Sequence, residues 1–157
     1  MSPPAFARRV RVRPEDIDDL GHANNVHFLR WILEAATGHW DLYRAEAPAS
    51  AIAGIGWVVI RHVVDYLAPA FAGDELDVFT WVPTCTATTC DRYAEVVRVA
   101  DGGVLARSVS TYCVVDQATG RPRRLSEELR LAIGGPEPVK RQKVERLSAS
   151  RPTETRR

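Results

Sequence analysis

Apolar side chains recur along this chain with two different periods, and the change of period divides it into a helix and a set of strands. From Asn24 onward Val26, Leu29, Leu33, Ala36, Trp40 and Tyr43 return at steps of three and four residues, and Phe28, Ile32 and Ala35 widen the stripe. That spacing predicts one long, largely buried helix. Asn24 stands where an N-cap belongs, and Pro48 with the small residues after it marks the exit. Ahead of the helix, Ala7 to Arg13 alternates polar and apolar side chains up to Pro14, as a short strand with one wet face would. Beyond the helix the period is two. Ile55 to Tyr66 is rich in Val and Ile, and Glu75 to Val82 reads E-L-D-V-F-T-W-V; the intervening L-A-P-A-F-A-G-D predicts a turn across which these two strands meet. Arg92 to Val99 and Val104 to Val115 flank A-D-G-G, a tight hairpin signal. Leu125 to Ile133 predicts a short helix before Gly134, Gly135 and Pro136 close the domain, and no internal repeat interrupts the pattern.

One apolar helix and a run of antiparallel strands can bury each other in a single strongly curved sheet. The expected class is therefore α+β, a long central helix wrapped by about five antiparallel strands. Such a sheet has edges, so pairing with a second copy is expected, as a homodimer or homotetramer.

Composition narrows the range of functions. The 157 residues suit one domain. Formal charge is +1, but residues 136–157 hold seven Lys/Arg against three Glu, leaving −3 for residues 1–135. A mildly acidic body argues against a nucleic-acid surface, and the basic tail, with its Pro, Ser and Thr, reads as disordered. The expected division is a folded domain over 1–135 and a tail over 136–157. No segment approaches the roughly 20 apolar residues of a membrane span, and M-S-P-P-A-F-A-R-R lacks the apolar core of a secretory signal, so a cytoplasmic address is expected. Cys85, Cys90 and Cys113 are odd in number and include no C-x-x-C pair, so they read as core or strand thiols rather than a disulfide framework or zinc site.

The candidate chemistry lies in E-D-I-D-D-L-G-H-A-N-N-V-H-F, residues 15–28. Asp16, Asp18 and Asp19 supply carboxylates, Gly21 permits a sharp turn, His22 can carry a proton, and the helix start adds free backbone N–H groups. Together they could polarise a carbonyl and direct a nucleophile at it. Asp18 could equally hold its own loop by accepting backbone N–H bonds, while Asp16 and Asp19 read as solvent-facing or turn-capping. His22 could orient water or Asp18, or simply satisfy the loop. No H-x-x-H or H-E-x-x-H spacing accompanies His22 and His27, so no metal is expected. Trp31, Trp40 and Trp57 could line an acyl pocket or be plain core. Arg92, in T-A-T-T-C-D-R-Y, could meet a phosphate or form an exposed ion pair.

D-I-D-D-L-G-H-A-N-N-V-H-F-L-R-W-I-L-E-A resembles the signature of hotdog-fold thioesterases, D-x-D-x-x-G-H-x-N-N-x-x-Y followed by a long helix. V-V-D-Y-L-A-P-A-F-A-G-D-E-L-D-V resembles that family's next strand and turn, so most of residues 8–133 is covered. The resemblance is to the acyl-CoA branch that includes the hydroxybenzoyl-CoA thioesterase type, and H-A-N-N-V-H-F-L-R-W-I-L-E is also similar to plant acyl-carrier-protein thioesterases. It implies the hotdog fold, thioester hydrolysis, and no metal or organic cofactor. It also implies that Asp18 is the catalytic carboxylate, as nucleophile or as general base on water, and that the Asn25 backbone N–H is the oxyanion donor. His22 would stand beside them, with Asn24, Phe28, Trp57 and Arg92 as substrate-binding candidates. The partner expected is an acyl-CoA; an acyl-carrier protein, or binding of an acyl thioester without turnover, are the alternatives.

Overall fold

The structure, a computed structural model, describes residues 5–134. The expected tail, 136–157, lies outside the described residues. Helix α1 (Asn25–Glu46) starts and stops as its sequence dictates. The Asn24 side chain accepts the Val26 N–H at 3.0 Å, and the Ala47 N–H reaches the Tyr43 carbonyl at 3.0 Å just before Pro48. Its buried residues are Phe28, Trp31, Ile32, Ala35, Ala36, His39 and Tyr43, again at steps of three and four. This stripe is rotated from the expected one. Val26 is 69% exposed and Leu33 half-buried, because apolar residues cover so much of the helix that periodicity alone does not select the inward face.

The strands are β1 (Ala5–Arg11), β2 (Ile55–Tyr66), β3 (Glu75–Cys85), β4 (Thr89–Arg98) and β5 (Val104–Asp116), with short helices α2 (Ala49–Ile52) and α3 (Glu127–Ile133). They form one antiparallel sheet in the order β1-β3-β4-β5-β2. The expected meeting of Ile55–Tyr66 with Glu75–Val82 across a turn is corrected. β2 pairs along its whole length with β5, from Ile55 opposite Asp116 to Tyr66 opposite Ala106, and β3 pairs with β1 and β4. Residues 67–74 instead carry the chain across one end of the sheet. On the way the Leu67 N–H meets the Leu105 carbonyl at 2.8 Å, and the Gly73 N–H meets the Val12 carbonyl at 2.8 Å. Among the described residues β5 is the only strand as long as β2, so this order gives β2 the longest ladder available.

The concave face of the sheet holds α1, which is the hotdog arrangement. Phe28, Trp31, Ile32 and Ala35 pack with Leu76, Val78, Ala94, Val96, Leu105 and Ala106. Gly38 lets β1 press on the helix, since a Cβ there would lie 2.8 Å from the Phe6 ring. A second cluster joins Tyr43 to Val82, Cys90, Leu129 and Ile133, so that α3 closes the far end of the sheet. Among the described residues no helix is long and apolar enough to cross a membrane.

The reading of three separate thiols is corrected as well. Cys85 and Cys90 are joined in a disulfide, and only Cys113 is free. The two stand opposite each other in the β3–β4 register with Cα atoms 4.1 Å apart, a proximity created by strand pairing rather than by a sequence motif.

Candidate active site

The segment between β1 and α1 is held at both ends. A 3-10 turn over Pro14–Asp16 ends in a bridge between Ile17 and Ala23, and the Ala23 N–H donates to the Ala70 carbonyl at 2.8 Å. Between these anchors the Asp18 N–H donates to the His22 carbonyl at 2.9 Å and the Gly21 N–H to the Asp18 carbonyl at 3.0 Å. Gly21 turns with a φ of +83°, and Leu20 at the tip is 80% exposed. Asp18 therefore sits on the shoulder of a tight loop, half-buried. Its Oδ1 accepts the Leu20 N–H at 2.9 Å, and its Oδ2 has no partner among the described residues.

Asp16 does not face solvent. It is 1% exposed, and one carboxylate collects the Arg13 N–H at 2.9 Å, the Arg13 guanidinium at 3.4 Å and Arg30 at 3.2 Å, with His27 Nδ1 3.5 Å away but not hydrogen-bonded to it. Burial pushes its carboxyl up, but the Arg13 N–H and the Arg13 and Arg30 guanidiniums outweigh that and hold it below the usual carboxylate range. Asp16 is thus the structural member of D-I-D. The Asn24 N–H also donates to its carbonyl, at 3.0 Å, so Asp16 fixes the entry to the helix. Asp19 is exposed, as expected.

The other candidates divide. Asn24 caps the helix with its side chain, and Asn25, exposed, is the first helical residue, so its N–H has no intrahelical acceptor. The Tyr66 hydroxyl meets the Asn25 carbonyl at 3.4 Å, which brings the end of β2 to the helix start. His22 is half-buried and meets Asp18 through its backbone carbonyl. Phe28 is 2% exposed, packed on Trp31 and Tyr66 in the core, and Trp31 is equally buried. Leu20, Val26, Tyr66, Leu67 and Phe71 leave exposed apolar surface around this loop and helix start.

Trp57 and Arg92 belong to a different place, a cavity of about 210 Å³ between the C-terminal half of α1 and the sheet. Trp40, Tyr43, Trp57 and Tyr112 give it aromatic walls, with Trp40 and Trp57 edge-on at 5.6 Å and Trp57 and Tyr112 at 6.4 Å. Arg92 takes neither of its expected surface positions. It points inward, donating through Nη1 to His39 Nδ1 and to Thr80 Oγ1, each at 3.1 Å, with its guanidinium 5.9 Å from the Tyr112 ring. Burial pulls its pKa down to about 10, so it stays a cation at neutral pH. His39 and Tyr112 were not singled out in the sequence. The inward register of β4 and β5, where Cys90 faces Tyr112 and Arg92 faces Ser110, turns Arg92 and Tyr112 to the side that receives His39 from α1. Among the described residues no cluster of three potential metal-ligating side chains forms.

Comparison with known proteins agrees with this architecture. The sequence profile of the thioesterase-like superfamily matches residues 12–133. A thioesterase from Thermus thermophilus, solved in complex with coenzyme A and Zn, is 30% identical, with a TM-score of 0.68 over 82% of this chain and 96% of that one. A 1,4-dihydroxy-2-naphthoyl-CoA thioesterase from Synechocystis is 20% identical, with a TM-score of 0.70 over 82% of this chain and 95% of that one, a likeness of fold. No curated protein sequence matches.

Proposed function

The chain belongs to the thioesterase-like superfamily and is a thioester hydrolase, and from that premise we propose that it hydrolyses acyl-CoA to free acid and CoA, with Asp18 as its catalytic carboxylate. What carries this reading is a helix start whose first N–H, at Asn25, has no intrahelical acceptor, preceded by a loop carboxylate, Asp18, whose only side-chain partner among the described residues is the Leu20 N–H. The thioester oxygen would accept the Asn25 N–H, and the dipole of a 22-residue helix would favour the negative charge that develops there. Asp18 would then attack the carbonyl carbon, or take the proton of an attacking water. Neither role requires a metal or an organic cofactor.

One protomer separates this machinery from the aromatic cavity. Leu33, the cavity residue nearest the helix start, is eight residues along α1 from Asn25, about 12 Å of helix rise. Trp57 is nine residues from Tyr66 along β2, about 30 Å of strand. A homodimer paired along β2 removes the separation. β2 is an open edge that exposes Val58, Ile60 and Val63, whereas the other edge, β1, is short and carries Arg8, Arg9 and Arg11. Two-fold pairing that uses the whole of Ile55–Tyr66 centres between Ile60 and Arg61, and it sets Tyr66 opposite Ile55 of the partner subunit. The helix start of one copy then faces the cavity of the other, and the apolar surround of Asp18 is covered.

The test is release of free CoA thiol from a panel of short, long and aromatic acyl-CoAs, with acyl-carrier-protein thioesters run in parallel. Thiol release from at least one acyl-CoA, abolished by Asp18→Asn, supports the reading. A fold-intact protein that leaves every acyl-CoA intact overturns it.

A further inference from the structure

Arg92 is an inward-facing cation for which no carboxylate among the described residues serves as a counter-ion; its contacts are to neutral groups. A guanidinium can only donate, so His39 Nδ1, at 3.1 Å, must accept, and an imidazole nitrogen brings no negative charge to the contact. Thr80 Oγ1 is also neutral, as is the Tyr112 ring beneath the guanidinium. In the same lining the Trp57 indole N–H is buried without an acceptor. An aromatic face offsets only part of the cost of removing a guanidinium from water, and a hydrocarbon acyl chain would add nothing to it. A group with two acceptor oxygens would satisfy the remaining guanidinium N–H groups in the bidentate geometry that Arg favours.

We propose that the acyl group hydrolysed here carries a second, terminal carboxylate, and that Arg92 receives it inside the aromatic cavity. The substrate class is the mono-CoA thioester of a dicarboxylic acid. The inference rests on the acyl-CoA reading above and deepens it. Arg92 is then the specificity determinant, while His39 and Thr80 hold its head group in position from α1 and β3.

The test compares matched substrates that differ only at the distal end: succinyl-, glutaryl-, adipoyl- and suberoyl-CoA against neutral methyl-ended acyl-CoAs of the same lengths. At the best length the wild type should favour the carboxylated member in kcat/KM by about tenfold or more, the worth of a charge-assisted contact. Arg92→Met should reduce that ratio by about tenfold or more, and Arg92→Lys should retain part of it. Wild-type preference for the neutral series, or a ratio that survives Arg92→Met, overturns the proposal. Should Arg92→Met fail to fold, the wild-type ratio decides alone. Calorimetric titration of the full chain with free glutarate and adipate separates the two readings. If no acyl-CoA is turned over, the hydrolytic reading fails, and binding of a dicarboxylate by the wild type but not by Arg92→Met still supports the role of Arg92. Absence of such binding together with absence of the substrate preference overturns it.

Discussion

Arg30 Nη2 lies 3.2 Å from Asp16 Oδ1, tying the second turn of α1 to the turn that launches the candidate active-site loop. Because the Arg13 N–H and guanidinium converge on the same carboxylate, one side chain sets the angle between loop and helix.

Asp16→Asn should therefore act on stability. Replacing the charge leaves Arg13 and Arg30 without their shared counter-ion, at a cost of about 2 kcal/mol given that both arginines are partly solvated. The folded pKa of Asp16 is depressed, so its stabilisation is complete above the ordinary aspartate value of 3.8 and is lost as pH falls through the lower folded value. Melting temperatures from pH 7 to pH 2 should show a steeper acid limb for the wild type than for the variant, and parallel curves would refute the assignment.

Asp18→Asn should leave the melting temperature within a degree or two while lowering turnover by about a hundredfold or more, since an amide is neither a base nor a competent nucleophile. The suitable control is Asp19→Asn, which is exposed and close by. Steady-state thiol release by both variants decides the matter. Near wild-type turnover in Asp18→Asn would return Asp18 to the role of a turn residue accepting the Leu20 N–H.

Ile60→Lys places a charge at a 60% exposed position in the middle of the β2 edge. Light scattering should find the wild type dimeric or larger at micromolar concentration and the variant shifted toward monomer. If the site is completed by the partner, specific activity should fall with dilution in the variant before it does in the wild type. A wild type that is monomeric throughout would exclude the pairing.

Cys85→Ser opens the cross-strand link at the tip of the β3–β4 hairpin. Chain entropy over so short a loop sets the loss at about 2 kcal/mol. Chemical denaturation with and without reductant should show the wild type losing that increment when reduced and the variant unaffected. Equal midpoints in all four conditions would mean that the hairpin holds Cys90 in the cavity wall without the bond.

What the sequence disclosed follows from the range of the forces involved. Helix α1 was legible to its caps because Asn24 and Pro48 act on their immediate neighbours, and the β4–β5 hairpin because Gly102 supplies a positive φ at the turn. The strand neighbours of β2 were not legible. Its partner β5 begins 38 residues after Tyr66, and nothing local distinguishes that ladder from one with β3. The same limit explains Cys85 and Cys90, made neighbours by register, and Arg92, whose inward direction depends on where β4 pairs. Asp16 and Asp18 look alike in D-I-D. The only hint of their different surroundings was Arg13, three residues before the one that is buried.

The short β1 margin has a consequence for how far assembly can proceed. The proposed pairing along β2 would leave a β1 strand at each outer border of the shared sheet, where Arg8 and Arg9 are 46% and 44% exposed and already committed to Glu34 and Asp77 of their own protomer. A third copy could add there only by stripping water from arginines that gain no new partner. In the proposed assembly strand addition is thus self-terminating, and pairing along the open β2 edge does not create a template for fibres.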